Sequence, residues 1–186
     1  SVILQNNLDI PNYFFWKELL REKTGQTIGR LDSRYLGIDK NEAGSSPDYN
    51  AELSSWLHSF TPAINHYIKN ELKFVTDVKY NMFGPVRPWN NDNDNTRDNL
   101  RSAMAQNPYL MVLNQSGYYD GATTYFNAKY TLSQIDPSGK MKERLKFKGY
   151  RSGHMMYLRK EDLIQANEDL REFIRESASN GKPAKY

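Results

Sequence analysis

The feature that most limits what this sequence can fold into is a rhythm in its second half. A short apolar run, residues 109–115 (YLMVLNQ), leads into a loop and then a helix-forming stretch near 122–132. After a turn at Asp136-Pro137-Ser138-Gly139, a second run, LKFKGY at 145–150, leads into another loop. The last helix follows, with Leu163, Leu170, Phe173 and Ile174 on one face and a polar tail behind it. Strand, loop, helix, strand, loop, helix predicts a parallel α/β sheet with the helices packed on it. Fully buried parallel strands read as continuous apolar runs, as 109–115 does.

The first 77 residues read differently. Pro11 suits a first helical position, and Tyr13, Trp16, Leu19 and Leu20 then recur at helical spacing. Residues 25–44 form a Gly- and Asp-bearing loop, in which GRLDSRY (29–35) carries enough aromatic and apolar residues to be ordered. Trp56, Leu57, Phe60, Ile64, Tyr67, Ile68 and Leu72 then make a long helical stripe, read as a face packed on its own core. Thr61-Pro62 is expected to begin a fresh helix within it, with Thr61 as N-cap. Residues 1–77 are thus expected to form a helical, cap-like region and 78–186 an α/β region.

Composition removes several classes of function. Basic and acidic residues number 25 and 22, and the net charge of +3 is spread along the chain, which argues against nucleic acid as a partner. The chain has no cysteine, so it has neither disulfides nor thiolate metal ligands. No apolar run approaches the length of a membrane span. The polar segment 88–95 (PWNNDNDN) suggests calcium, but Arg97 and Ala103 stand where the calcium loop requires Gly and Glu. It is read as a solvated loop capping a helix over 96–106 that stops at Asn107-Pro108. No cofactor is expected.

Two residues carry the chemistry. Asp120 lies just past the first apolar run, and His154 just past the second. If the strands are parallel, both loops open on the carboxyl edge, where open α/β sheets place their ligands. A carboxylate that accepts a hydrogen bond from an imidazole fixes its tautomer and stabilises the imidazolium formed on protonation. Asp before His, on the last two strand ends and ahead of a terminal helix, matches the back half of the Ser…Asp…His order of α/β-hydrolases. Each residue alone also has a plain structural reading, the Asp as a turn former and the His as a packed side chain. Gly153, ahead of His154, is read as the flexible turn that lets the imidazole project.

The surrounding residues resemble a known family. GYYDGATTYF (117–126) resembles the Gly-Tyr-Tyr-Asp-x-Ala-Thr-Pro motif of the serine carboxypeptidases, and YRSGHMMYL (150–158) their Gly-His-Met-Met motif. NNLDIPNYFFWKELLREKTGQTIGRLDSRYLG resembles the middle of bacterial members, so the likeness extends over most of the chain. Thr124 stands where that family usually has proline, which is expected to alter only the first turn of the helix. The resemblance implies an α/β-hydrolase fold, of which this chain holds the last parallel strands and terminal helix plus a helical cap-like lobe. It implies Asp120 and His154 as acid and base of a triad, Met155 as a lining residue of the pocket for the departing side chain, and peptides as substrates.

The family's nucleophile sits in G-x-S-x-G, which this chain lacks; Gly44-Ser45-Ser46-Pro47 has no second glycine. The chain opens at Ser1 without methionine and is expected to be the C-terminal half of such an enzyme, inactive alone. Its expected partner is the N-terminal half that carries the serine, with a homo-oligomer also open. The family further implies a secreted or periplasmic location. The alternative reading is a catalytically dead relative acting as a binding or interaction module.

Overall fold

The structure is a computed structural model that describes residues 12–41, 44–85, 88, 90, 92 and 96–178. Pro11, the chain start, most of the 88–95 loop and the tail beyond 178 lie outside the described residues. The fold is mixed α and β and divides into two compact units. The first takes the described residues up to Arg30 together with Tyr35–Asp92. The second takes Leu31–Arg34 and the described residues from Thr96 onward. The stretch from 78 to 92 therefore groups with the first unit.

The first unit is helical with one small sheet. Helix α1 (Asn12–Thr24) is followed by strands β1 (Gln26–Ile28) and β2 (Leu36–Ile38), which pair antiparallel with Thr27 opposite Gly37. The strands lie within the stretch expected to be loop, because three-residue strands are too short to show an alternating pattern. Helix α1 does not bury the aromatic stripe expected of it, since Tyr13 and Leu19 are exposed. Its buried side chain is Lys17, paired with Asp39 at 2.8 Å and donating to the carbonyls of Asn41 and Ser46. A buried ammonium is tolerable only with such a full set of acceptors.

Helix α2 (Ala51–Asn70) runs unbroken through Pro62, so no fresh helix starts at Thr61. Proline removes one backbone hydrogen bond at a cost of about 3 kcal/mol and frees the carbonyl four residues earlier. That carbonyl belongs to exposed His58, where solvent can take up the bond. Trp56 is buried and meets Tyr35 edge-to-face at 5.8 Å, but Leu57, Tyr67 and Leu72 of the same stripe are exposed.

In the second unit, α3 (Thr96–Gln106) ends at Asn107-Pro108 as expected. Strand β3 (Val112–Gly117) pairs in parallel with β4 (Leu145–Tyr150), in register from Val112 opposite Leu145 to Gly117 opposite Tyr150. The first strand starts three residues later than its apolar run. The amides of Tyr109 and Leu110 are taken by a turn on Asn107, bonding its side-chain oxygen and its carbonyl. The carbonyls of Met104, Asn107 and Leu110 all accept from Nη1 of Arg144, a buried cation at the C-terminal end of α3. Met104, Ile135 and Leu145 form the buried core around this tie, with Val112 and Phe147 packed on it. Helix α4 (Tyr125–Ser133) and helix α5 (Lys160–Ser177) complete the unit, with short 3₁₀ turns at Lys142–Arg144 and Met156–Leu158.

Helix α5 docks by a face the hydrophobic pattern does not show. Its inward positions are Asp162, Ala166, Asp169 and Phe173, whereas Leu163, Leu170 and Ile174 are exposed. At 100° per residue the apolar stripe lies about a quarter-turn round from the docked one. The docked face is held by polar bonds. Tyr150 Oη donates to Asp169 at 2.8 Å, Lys148 pairs with Asp169 at 3.0 Å, and the buried Ser152 hydroxyl donates to Asp162. Gln115 Nε2 completes the network by donating to Tyr150 Oη and to the Ala166 carbonyl.

This network makes stability depend on pH at both ends of the scale. Burial pushes the Asp169 carboxyl up, but hydrogen bonds from Tyr150, Lys148 and Gln165 pull further, and the net position is below the ordinary 3.8. Its contribution is therefore present above 3.8 and lost as pH falls through the lowered folded value. Burial, then the bond to Asp169, raises the Tyr150 phenol above its ordinary 10.0, and the bond to Asp169 raises Lys148 above 10.5. Both contributions are present below those ordinary values and lost as pH rises through the raised ones. The thermal midpoint is expected to fall on both flanks, and Asp169→Asn to flatten the acid flank and to reduce the alkaline one, where the burial of Tyr150 remains. An identical pH profile in the variant would show that Asp169 is not the source.

A second test concerns the end of α2. Lys73 has φ +57°, and Phe74 N–H closes the helix on the Ile68 carbonyl at 3.0 Å. A left-handed residue at this position favours glycine. Lys73→Gly is expected to raise unfolding stability by up to about 1 kcal/mol in denaturant titration, whereas Lys73→Ala should not.

Candidate functional site

The parallel pairing carries both strand ends out on the same side of the sheet, and it continues past them. Tyr118 N–H donates to the Tyr150 carbonyl at 2.9 Å, and Tyr119 N–H to the Ser152 carbonyl at 3.0 Å. Gly117 permits this closeness, since a Cβ there would collide with the carbonyls of Ser152 and Gly153. Two loops that would otherwise diverge run side by side, and the residues they carry meet.

Those residues are Asp120 and His154. His154 Nδ1 lies 2.8 Å from Asp120 Oδ2. The aspartate is almost wholly buried (side chain 4 % exposed), while the imidazole is 43 % exposed. The carboxylate also accepts from the amides of Ala122 (2.8 Å) and Thr123 (3.0 Å) through Oδ1, and from the Thr123 hydroxyl (2.5 Å) through Oδ2. Four donors satisfy its charge without a cation, which makes burial affordable. By capturing the amides of Ala122 and Thr123, the aspartate also delays α4, which starts at Tyr125 rather than near 122. Thr124 takes the N-cap position with extended backbone and makes no side-chain cap bond.

Nδ1 faces a carboxylate, so the ring proton belongs there and Nε2 presents its lone pair outward. Nε2 makes no hydrogen bond among the described residues. The arrangement is an oriented base, able to take a proton at Nε2 while Asp120 stabilises the imidazolium.

Met155 follows His154 at the start of the Met156–Leu158 turn and is half-buried. The turn reading of Gly153 needs correction. It does not have positive φ; instead a Cβ there would stand 2.5 Å from the Leu31 carbonyl oxygen and from Asp32 Cβ. Glycine precedes the histidine because a remote segment packs on its Cα.

That segment, Leu31–Arg34, was legible in the sequence only as an ordered loop. His154 N–H donates to the Leu31 carbonyl at 2.7 Å, and Ser33 N–H to the Tyr119 carbonyl at 2.9 Å. Asp32, 3 % exposed, accepts from the amide, Nε and Nη2 of Arg34. Arg34 Nη1 donates to the Arg151 carbonyl at 2.9 Å, and the guanidinium lies 5.0 Å from the Tyr119 ring centre. Thr123 was missed as well, although it stands three residues after the aspartate, where an Asx-type turn puts its hydroxyl within reach.

Neither serine near the dyad is available to His154. Ser116 Oγ donates to Asn114 at 2.8 Å, and Ser152 Oγ is spent on Asp162 and the Met156 carbonyl. Among the described residues no cluster of three or more His, Cys, Asp or Glu side chains could hold a metal ion. No helix among them is long and apolar enough to cross a membrane. In the first unit, a cavity of about 420 Å³ at the end of α2 is lined by Ile68, Phe74, Val78 and Tyr80 with Lys69 and Lys79, and has no carboxylate or imidazole in its wall.

Thr123→Val removes one donor from a buried carboxylate while keeping the shape of the side chain. The expected cost is about 1–2 kcal/mol of unfolding stability, read by denaturant titration. An unchanged midpoint would show that the hydroxyl adds nothing to the carboxylate's stabilisation.

No protein-family model, curated protein or solved structure matches this chain.

Proposed function

We propose that this chain is the C-terminal half of a serine carboxypeptidase of α/β-hydrolase fold, supplying the Asp and His of its triad. The observation that carries the reading is the 2.8 Å contact between Asp120 and His154 at the carboxyl ends of two paired parallel strands. It is supported by the two motifs that hold these residues, whose order and spacing resemble that family's.

The proposed chemistry is acyl transfer. A serine supplied from outside these residues attacks the carbonyl carbon of the C-terminal peptide bond, and His154 Nε2 takes its proton. The imidazolium, stabilised by Asp120, then gives that proton to the leaving amine, and the C–N bond breaks. Water enters, His154 takes its proton, the acyl ester is hydrolysed and the proton returns to the serine. Oxyanion donors are likewise expected from outside the chain. Met155, adjacent to the base, is assigned to the pocket for the departing side chain. Peptides are the substrate class, and a secreted or periplasmic location goes with the family reading.

The exposed apolar faces of β3–β4 neighbours and of α5 (Tyr118, Phe126, Leu163, Leu170, Ile174) support a chain that assembles with further structure. The test is labelling by a fluorophosphonate serine probe together with C-terminal residue release. The chain alone is expected to take no label. Co-expressed with the serine-bearing N-terminal half that this reading proposes, the assembly is expected to label on the added piece and to release C-terminal residues. There, His154→Ala and Asp120→Asn should each lower turnover on the order of 10⁴-fold. Met155→Ala should change preference among C-terminal residues with a smaller loss of rate. Labelling of the isolated chain, abolished by His154→Ala, would overturn the reading. An assembly that folds but neither labels nor cleaves would favour the binding-module alternative.

A further inference from the structure

We infer that the Leu31–Arg34 segment is a strap that positions His154, and that Arg34 is its positioning residue. The inference rests on the reading of Asp120 and His154 as an acid–base pair and deepens it.

The imidazole itself is weakly confined. Its ring is 43 % exposed, and its hydrogen-bond partners are Asp120 Oδ2 at 2.8 Å and the Thr123 hydroxyl at 3.2 Å. Its direction must therefore be set through the backbone that carries it, and each of four consecutive residues there is held. The Arg151 carbonyl accepts from Arg34 Nη1, and the Ser152 carbonyl from Tyr119 N–H. Gly153 packs against Leu31 and Asp32, and His154 N–H donates to the Leu31 carbonyl. Three of these four restraints come from Leu31–Arg34. The same segment holds the other loop, through Ser33 N–H on the Tyr119 carbonyl and the Arg34 guanidinium on the Tyr119 ring. The residue before Asp120 and the residues leading to His154 are thus clamped by one short piece of chain.

Within that piece, Asp32 and Arg34 act together. Asp32 is buried, and it fixes Arg34 by three bonds to the amide, Nε and Nη2. Nη1 is left pointing at the Arg151 carbonyl. Only a planar fork can bind a carboxylate on one edge and a carbonyl on another while stacking on a ring. Lysine in the same place keeps the charge beside Asp32 and loses the rest. The Asp32–Arg34 pair is therefore more than a local ion pair. It decides whether the imidazole sits within hydrogen-bond reach of Asp120 or swings into solvent.

The test reads the imidazole directly and needs no peptidase activity. In the chain labelled with ¹⁵N-histidine, the Nδ1–H of His154 is expected as a low-field, slowly exchanging proton signal, assigned by its loss in His154→Gln. In Arg34→Lys that proton should exchange about tenfold faster, the loss of roughly one hydrogen bond's restraint, while amides of the β3–β4 ladder keep their protection. The double variant Asp32→Asn/Arg34→Gln, which leaves no buried charge unpaired, should show a larger effect. If the double variant does not fold, Arg34→Lys alone decides the matter. Unchanged exchange of the His154 Nδ1–H in folded Arg34→Lys overturns the strap and leaves the proposed function standing. Absence of the signal from the unaltered chain removes the dyad itself, and both proposals fall with it. A strap that holds as described in an assembly without peptidase activity would overturn the function alone.

Discussion

The second unit depends on a run of parallel pairing only six residues long. Because Val112 to Gly117 lie beside Leu145 to Tyr150 in the same direction, both chains leave the sheet at one edge. An antiparallel pair would have sent Asp120 and His154 to opposite ends. Parallel pairing needs a long crossover between the strands, and here α4 and the Lys142–Arg144 turn provide it. Their core of Met104, Ile135 and Leu145 is small, so the register is also held at its exit by Gly117. That glycine lets the two loops continue side by side for two more residues.

Buried polar groups tie the elements of this unit together. Arg144 closes the end of α3 from inside the core, and Asp162 and Asp169 dock α5 through the Ser152 and Tyr150 hydroxyls. Asp120 is buried among four donors. Buried groups of this kind are costly unless fully matched, and when matched they specify a single arrangement more sharply than apolar contacts do. In the proposed role the two loops need such definition, because a base and its orienting carboxylate work only within a narrow range of distance and direction. The apolar residues turned away from these bonds, such as Leu163, Leu170 and Ile174, are left as uncovered surface.

Much of this was legible in the sequence, for local reasons. The runs YLMVLNQ and LKFKGY, each followed by a loop and a helix, announce two parallel strands. The stop of helix α3 before Asn107-Pro108 follows from the proline. Placing Asp120 and His154 just past those runs was enough to expect them together. The differences arise where a periodic pattern meets a competitor for the same backbone groups. The start of β3 moved because Arg144 and Asn107 claim the residues before it, and the start of α4 moved because Asp120 captures its first amides. Thr61-Pro62 has the form of a helix start, yet the helix continues because the cost falls on an exposed carbonyl, and exposure is not written in the residue itself.

The sequence by itself determined the strand order, the types of residue at the strand ends and the motifs around them. These depend on periodicity and on residues near one another along the chain. Only the tertiary structure decided which face of α5 is buried, why glycine precedes His154, and that Leu31–Arg34 closes over both loops. Each of those outcomes is a contact between residues 10 to more than 100 positions apart, as with Ser152 and Asp162 or Arg34 and Arg151. A glycine chosen to admit a remote backbone looks, in sequence, the same as a glycine chosen for its own flexibility. The physical difference lies entirely in what stands against its Cα, and that is a property of the fold.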